Sequence, residues 1–148
     1  MADILVRAAR QRDAAAIRAL IRAVRINPFG LSWRRFLVAM GADGALLGCG
    51  QIRIHADGSR ELASVAVAEK ARGRGVAQAL IQALLKGEHQ RPLYLMCRAR
   101  LEPLYARFGF RPASPAEMPP YFRRISRIES LFNSRAPRDK RLLVMQLD

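Results

Sequence analysis

The apolar positions of this chain change period along its length, and those changes mark out its elements. Ile4 to Ala8 is a short apolar run that predicts a strand. Behind it Ile17, Leu20, Ile21 and Val24 follow helical spacing, with Asp13 placed to cap the helix. Asn27-Pro28-Phe29-Gly30 ends that helix. Phe36-Leu37-Val38, Ala45 to Ile54 and Glu61 to Val67 are strand-like runs, separated by the turns Gly41-Ala42-Asp43-Gly44 and Ala56-Asp57-Gly58-Ser59. Together they predict an antiparallel meander. From Gly75 to Lys86 the period becomes helical, with Val76, Leu80 and Leu84 four apart beside Ala77, Ile81 and Leu85. Leu93 to Cys97 predicts a strand. Leu101, Leu104, Tyr105 and Phe108 form one stripe of a short helix closed by Gly109, and Leu142 to Leu147 is a final strand.

This alternation predicts an α/β (α+β) fold: one domain over residues 1–148, with a mixed central sheet of about six to seven strands. The N-terminal part is an antiparallel meander, and about four helices flank the sheet. One segment, 114–140, departs from the pattern. Ser114-Pro115-Ala116-Glu117 has capping-box spacing, and Pro119-Pro120 interrupts the chain just after it. Tyr121, Ile125, Ile128 and Phe132 then recur every three or four residues, while Arg123, Arg124 and Arg127 lie off that stripe. This basic helical insertion is expected to pack its apolar stripe on the sheet; the alternative is a lid over a substrate cleft.

Composition changes the picture in one respect. Apolar residues are 51% and charged residues 26% of the 148, an ordinary globular mixture. The charge balance is not ordinary: 26 basic against 12 acidic residues give +14, and the bases are 23 Arg and only 3 Lys. Such a surplus predicts an anionic partner without naming the anion. No stretch approaches the roughly 18 apolar residues of a membrane span. The Arg-rich start, Met1 to Arg25, has the look of a transit peptide, but Asp3, Asp13 and the strand-like Ile4-Leu5-Val6 argue against one. Two cysteines, Cys49 and Cys97, are too few for a disulfide framework and lack metal-ligand spacing; His55 and His89 stand isolated. The expectation is a cytoplasmic protein without a structural metal, a monomer or homodimer.

The sharpest motif is Val65-Ala66-Val67 followed by Arg72-Gly73-Arg74-Gly75-Val76-Ala77: a strand, a glycine-rich turn, a helix start. Glycines let main chain approach an anion, and the free N–H groups of a first helical turn bind phosphate oxygens. No Gly-Lys-Ser/Thr comes next, so this is not a Walker loop, and the three-glycine dinucleotide spacing is absent. Alone, it is either a phosphate site or a tight turn.

Arg72-x-x-Gly75-x-Ala77 resembles the Arg/Gln-x-x-Gly-x-Gly/Ala signature of the GNAT superfamily of N-acetyltransferases, and Lys70-x-x-Gly73-x-Gly75 fits an overlapping register. Leu104-Tyr105-Ala106-Arg107-Phe108-Gly109-Phe110 is similar to the family's apolar-Tyr-x-x-apolar-Gly-Phe segment, in the right order. The predicted element order resembles that fold from Ile4 to Leu147. The resemblance implies acetyl-CoA as cosubstrate. The main chain of Val65, Ala66 and Val67 would pair with the pantetheine arm. The amides of Gly73, Arg74, Gly75, Val76, Ala77 and Gln78 would hold the pyrophosphate, with Arg72 beside them.

A lysine-like amine of pKa about 10.4 is mostly protonated at pH 7, so attack on a thioester needs a base, an oxyanion donor and an acid for the thiolate. Tyr105 matches the family's acid position, although it also lies on the apolar stripe. The resemblance puts the oxyanion donor on the Glu61–Val67 strand. Glu61 resembles in position the glutamate base of histone-acetylating members, on the same strand face as Val65 and Val67 by strict alternation. Glu102 and His55 are weaker candidates, and Cys97 is expected to be a buried thiol. An Asn common in the family before Tyr105 is absent; Arg98 and Arg100 occupy that stretch.

The run Arg60-Glu61-Leu62-Ala63-Ser64-Val65-Ala66-Val67, with Cys97-Arg98 downstream, is loosely similar to the acetyltransferase part of N-acetylglutamate synthases. That similarity implies an anionic amino-acid acceptor such as glutamate, its carboxylates met by Arg98, Arg100 and Arg123, with Arg124 as a further candidate. The alternatives are a protein N-terminus or lysine as acceptor, and a noncatalytic GNAT-like module that binds nucleic acid.

Overall fold

The computed structural model describes residues 4–148. Asp3 and the first residues of the transit-peptide-like stretch lie outside the described residues. Ten strands and α-helices follow the predicted order, and an eleventh, the two-residue β6, was not expected: β1 (Leu5–Ala8), α1 (Ala14–Ala23), β2 (Phe36–Met40), β3 (Leu46–Ile54), β4 (Arg60–Val67), α2 (Val76–Gly87), β5 (Leu93–Arg98), α3 (Glu102–Ala106), β6 (Arg111–Pro112), α4 (Pro120–Asn133) and β7 (Leu142–Leu147). The strands form one mixed seven-stranded sheet in the order β1-β2-β3-β4-β5-β7-β6. The fold class is that expected from the sequence. Among the described residues no helix is long and apolar enough to cross a membrane.

The contacts divide the chain into two compact units. The first runs to Arg53 and adds Leu62–His89. Here β1 pairs antiparallel with β2 (Leu5 opposite Met40) and β2 antiparallel with β3 (Phe36 opposite Gln51). Alternation along β2 sends its side chains to opposite faces. Phe36 and Val38 pack with Ile17, Leu20 and Ile21 of α1, while Leu37 and Ala39 pack with Val76 and Leu80 of α2. The sheet is thus covered on both sides. The α2 side is close: a Cβ at Gly48 would lie 2.8 Å from both the Ala66 carbonyl oxygen and Val76 Cγ1, so only glycine lets α2 seat there.

Asp13 does not cap α1 as expected. Its carboxylate accepts from the Arg10 N–H at 2.7 Å and from both terminal nitrogens of Arg7 at 2.8 and 3.2 Å, and no side chain caps the helix. A buried carboxylate does better with a guanidinium than with one amide. The Arg7 hydrogen bonds hold its pKa below the usual carboxylate value, opposed by burial.

The second unit comprises Ile54–Glu61 and Gln90–Asp148. Arg60 and Glu61, at the start of β4, pair in parallel with Leu93 and Tyr94 of β5. β5 pairs antiparallel with β7 over six residues, and β6 joins the far edge of β7. The capping box at Ser114 forms, but on a single 3-10 turn, Pro115–Glu117. The expected stripe of α4 is corrected by the structure. Phe122, not Tyr121/Ile125/Ile128/Phe132, is its buried anchor, packed with Tyr94, Met118 and Val144. Ile128 is 50% and Phe132 81% exposed. Pro120 opens the helix, and Phe122 in its first turn is the residue packed inward.

Phe122→Ala should cost about 3–5 kcal/mol through the cavity left among Tyr94, Met118 and Val144. Urea denaturation of the two proteins measures it.

Candidate active site

In the first unit the glycine-rich turn has the geometry of an anion cradle. β4 ends at Val67, a 3-10 turn spans Glu69–Ala71, and the chain passes Arg72 to Gly75 into α2. Gly73 and Gly75 both have φ of 78°, the left-handed region that glycine enters without strain. Gly75 is the N-cap, and among the described residues no side-chain hydrogen bond caps α2. The Gly75 carbonyl accepts from Ala79, the first amide with an intrahelical partner, so the N–H groups of Val76, Ala77 and Gln78 point out of the helix. Nothing lies within 4 Å of a Cβ built on Gly73 or Gly75, so the space before those amides is open. Arg72 and Arg74 are exposed beside it. Open amides, a twelve-residue helix dipole and two guanidiniums fit a diphosphate.

β4 carries a second irregularity. Ser64 has φ of 58° in the middle of the strand, so strict alternation does not run from Glu61 to Val65 and Val67. The expectation that those three side chains share a face by alternation fails at this residue. The ladder to β5 holds only Arg60–Leu93 and Glu61–Tyr94.

The second unit holds the acid and base candidates. Tyr105 projects from α3, 7% exposed, its ring edge-on to Phe110 with 6.2 Å between centroids. Burial first, and the neighbouring Cys97 second, push its phenol up to about 12. Cys97 is buried with Sγ 3.9 Å from the Met145 sulfur, and burial with Glu102 pushes its thiol up to about 11. A phenol and a thiol in these surroundings both keep their protons at neutral pH.

Glu61 is buried, and its Oε1 lies 2.8 Å from Nε2 of His55. His55 is therefore not isolated. Its ring stacks on Tyr121, centroids 3.6 Å apart, and meets Phe122 edge-on; the Tyr121 N–H donates to Asp57 in the same hairpin turn. A signal for the pair was present in the sequence. His55 and Glu61 flank the four-residue turn 56–59, which brings them side by side. His89 is exposed.

The expected carboxylate-binding arginines differ in their engagement. Arg98 donates to Glu129 at 3.1 Å and to the Lys140 carbonyl at 3.2 Å. Arg123 gives Nε to the Pro115 carbonyl and Nη2 to that of Met118. Arg100 and Arg124 are exposed. Among the described residues no group of three or more His, Cys, Asp or Glu could hold a metal ion.

A helix N-terminus opened by glycines behind a strand, on a mixed sheet, is an arrangement suited to binding an anion. A family model described as the acetyltransferase (GNAT) domain matches residues 32–112, more than half of the chain, and the chain belongs to that family. No curated protein matches by sequence.

Solved structures share the fold at low identity. The chain is similar to N-acetylglutamate synthase from Neisseria gonorrhoeae, solved with coenzyme A and N-acetyl-glutamate: TM-score 0.73, 24% identity, covering 100% of this chain and 36% of that one. It thus spans little more than a third of that enzyme. Rv2747 from Mycobacterium tuberculosis, in complex with CoA, matches at TM-score 0.71 and 22% identity over 97% of this chain and 98% of its own. ElaA of Escherichia coli matches at TM-score 0.69 and 20% identity over the full length of both.

With pKa values near 11 and 12, roughly one cysteine in a thousand or fewer is thiolate at pH 8. A disulfide reagent should therefore leave Cys97 and Cys49 unmodified in the folded protein and titrate both in denaturant.

Proposed function

We propose that this protein transfers the acetyl group of acetyl-CoA by direct attack of a primary amine, and that the acceptor is an anionic amino acid such as glutamate. The observation that carries the coenzyme half is the uncapped first turn of α2 behind two left-handed glycines. Gly73, Arg74, Gly75, Val76, Ala77 and Gln78 present amides to the pyrophosphate, and Arg72 adds charge. Val65, Ala66 and Val67 offer main chain to the pantetheine arm, since the ladder of β4 to β5 stops at Glu61. Bound there, acetyl-CoA supplies the activated acyl group; the remaining chemistry falls to protein side chains.

Tyr105 holds the proton that the departing thiolate needs. A phenol near 12 is a weaker acid than one near 10, but a thiol sharing its surroundings is weakened too. Burial acts in the same direction on the neighbouring Cys97 thiol, which is likewise pushed up. Glu61 takes the amine's proton, directly or through water. His55 on one carboxylate oxygen fixes the side chain and leaves the other oxygen for the proton.

Carboxylate recognition falls to Arg98, Arg100 and Arg123. Arg123 would have to give up the Pro115 and Met118 carbonyls, so Arg100 carries the larger share. The surplus of arginine favours an anionic acceptor over a polycation. That the N. gonorrhoeae synthase was solved with N-acetyl-glutamate supports trying glutamate first.

The test is thiol release from acetyl-CoA against a panel of glutamate, other amino acids, peptides with free N-termini and simple amines. Glutamate or another acidic amino acid should give the highest kcat/KM; release with peptides alone would move the acceptor to protein, and CoA binding without release would mark a noncatalytic module. Tyr105→Phe should lower kcat about 100-fold, within the usual contribution of a general acid, and leave CoA affinity within about twofold. Gly75→Val, which cannot take the left-handed conformation without strain and crowds the amides, should instead weaken CoA binding at least about tenfold by calorimetry.

A further inference from the structure

Gln51 lies in β3 opposite Phe36 and is fully buried. A buried primary amide must place two donors and a carbonyl oxygen. Nε2 donates to the Gly30 carbonyl at 3.1 Å and to Oγ of Ser64 at 2.8 Å, and Oε1 accepts from Nε of Arg35 at 3.3 Å. Nη2 of Arg35 donates to the same Gly30 carbonyl at 3.1 Å. A carbonyl only accepts and a guanidinium only donates, so the amide has a single workable orientation. Ser64 Oγ is therefore an acceptor from Gln51, and its own hydrogen is directed elsewhere.

Ser64 is also the left-handed residue of β4. A residue with a Cβ persists there only when its surroundings over-determine it. They do so from two sides. Gln51 holds the hydroxyl, and the Cys49 thiol, kept protonated by burial, donates to the Ser64 carbonyl at 3.7 Å. The conformation of Ser64 sets the peptide plane after it, and with it the direction of the Val65 N–H.

We propose that Gln51 is a positioning residue for acetyl transfer: it locks the Ser64 kink and thereby aims the main chain of Val65 to Val67, tying that strand to the loop carbonyl of Gly30. This rests on the proposed function, in which Val65–Val67 meets acetyl-CoA and β4 supplies the oxyanion donor. One side chain thus joins two stretches distant in sequence, the loop and turn from Gly30 to Arg35 and the centre of β4.

The experiment measures thiol release and melting temperature for Gln51→Leu, Ser64→Ala and the double variant Gln51→Leu/Ser64→Gly. Loss of the tether should lower kcat about tenfold in Q51L, the scale of one relaxed backbone constraint, with KM for acetyl-CoA changed less than about twofold. Glycine takes the left-handed conformation unaided, so the double variant should return kcat to within about threefold of wild type. A merely structural glutamine would lower the melting temperature in Q51L without a loss confined to kcat. Should Q51L fail to fold, S64A, which removes only the hydroxyl, should show the same kcat-selective loss. Wild-type kcat in Q51L or S64A, or a loss that Ser64→Gly does not recover, overturns the proposal. Wild-type protein that releases no thiol with any amine overturns the acetyltransferase reading itself, and the two failures are told apart by that control.

Discussion

The first turn of α2 leaves three amides without intrahelical partners, and among the described residues no side-chain hydrogen bond caps them. Such groups need water or an anion, and much of the first unit is arranged so that they can face one. Two left-handed glycines keep side chains out of the space before them. Gly48 lets the helix settle close to β3, and Val76, Leu80 and Leu84 bury its inner face. Burial of that face holds the open end in place without closing it off. A helix secured along its side tolerates an unsatisfied terminus.

The second unit works by a different rule, the removal of water from ionisable groups. Tyr105 and Cys97 are pushed to hold their protons, while Glu61, just as buried, has His55 as a partner. Desolvation favours the neutral form of a buried phenol or thiol. The buried phenol suits the acid role proposed for Tyr105, and the hydrogen-bonded side chain beside His55 suits the base role proposed for Glu61. The aromatic stack of His55, Tyr121 and Phe122 links that pair to the start of α4.

Much of the fold was legible because strand and helix periods differ and the turns carry Gly, Asn, Asp and Pro. All the strands but one, the four helices and the anion-ready turn come from those signals. The features that escaped have identifiable causes. β6 is two residues long, below any periodicity. On α4, four apolar residues at helical spacing outweigh Phe122 by count, although the packing with Tyr94, Met118 and Val144 decides which residue is buried. Asp13 reads as a cap for the nearer helix, whereas Arg7 offers it a stronger bond. The left-handed Ser64 could not be read, since serine carries no signal for it; only the buried Gln51 and Cys49 beside it explain it. The His55–Glu61 pair needed only the hairpin to be traced through its turn.

The α4 helix is fastened near its beginning, where Phe122 is buried and the Tyr121 amide is held by Asp57, whereas Leu131 and Phe132 near its end are about four-fifths exposed. Stability along it is therefore graded, with the last turns opening at lower free energy than the first. Arg98, bonded to Glu129 in the looser half, is the side chain that would register such fraying. The Lys140 carbonyl holds the same guanidinium, so the end of β5 is fastened to the chain on both sides of that looser turn.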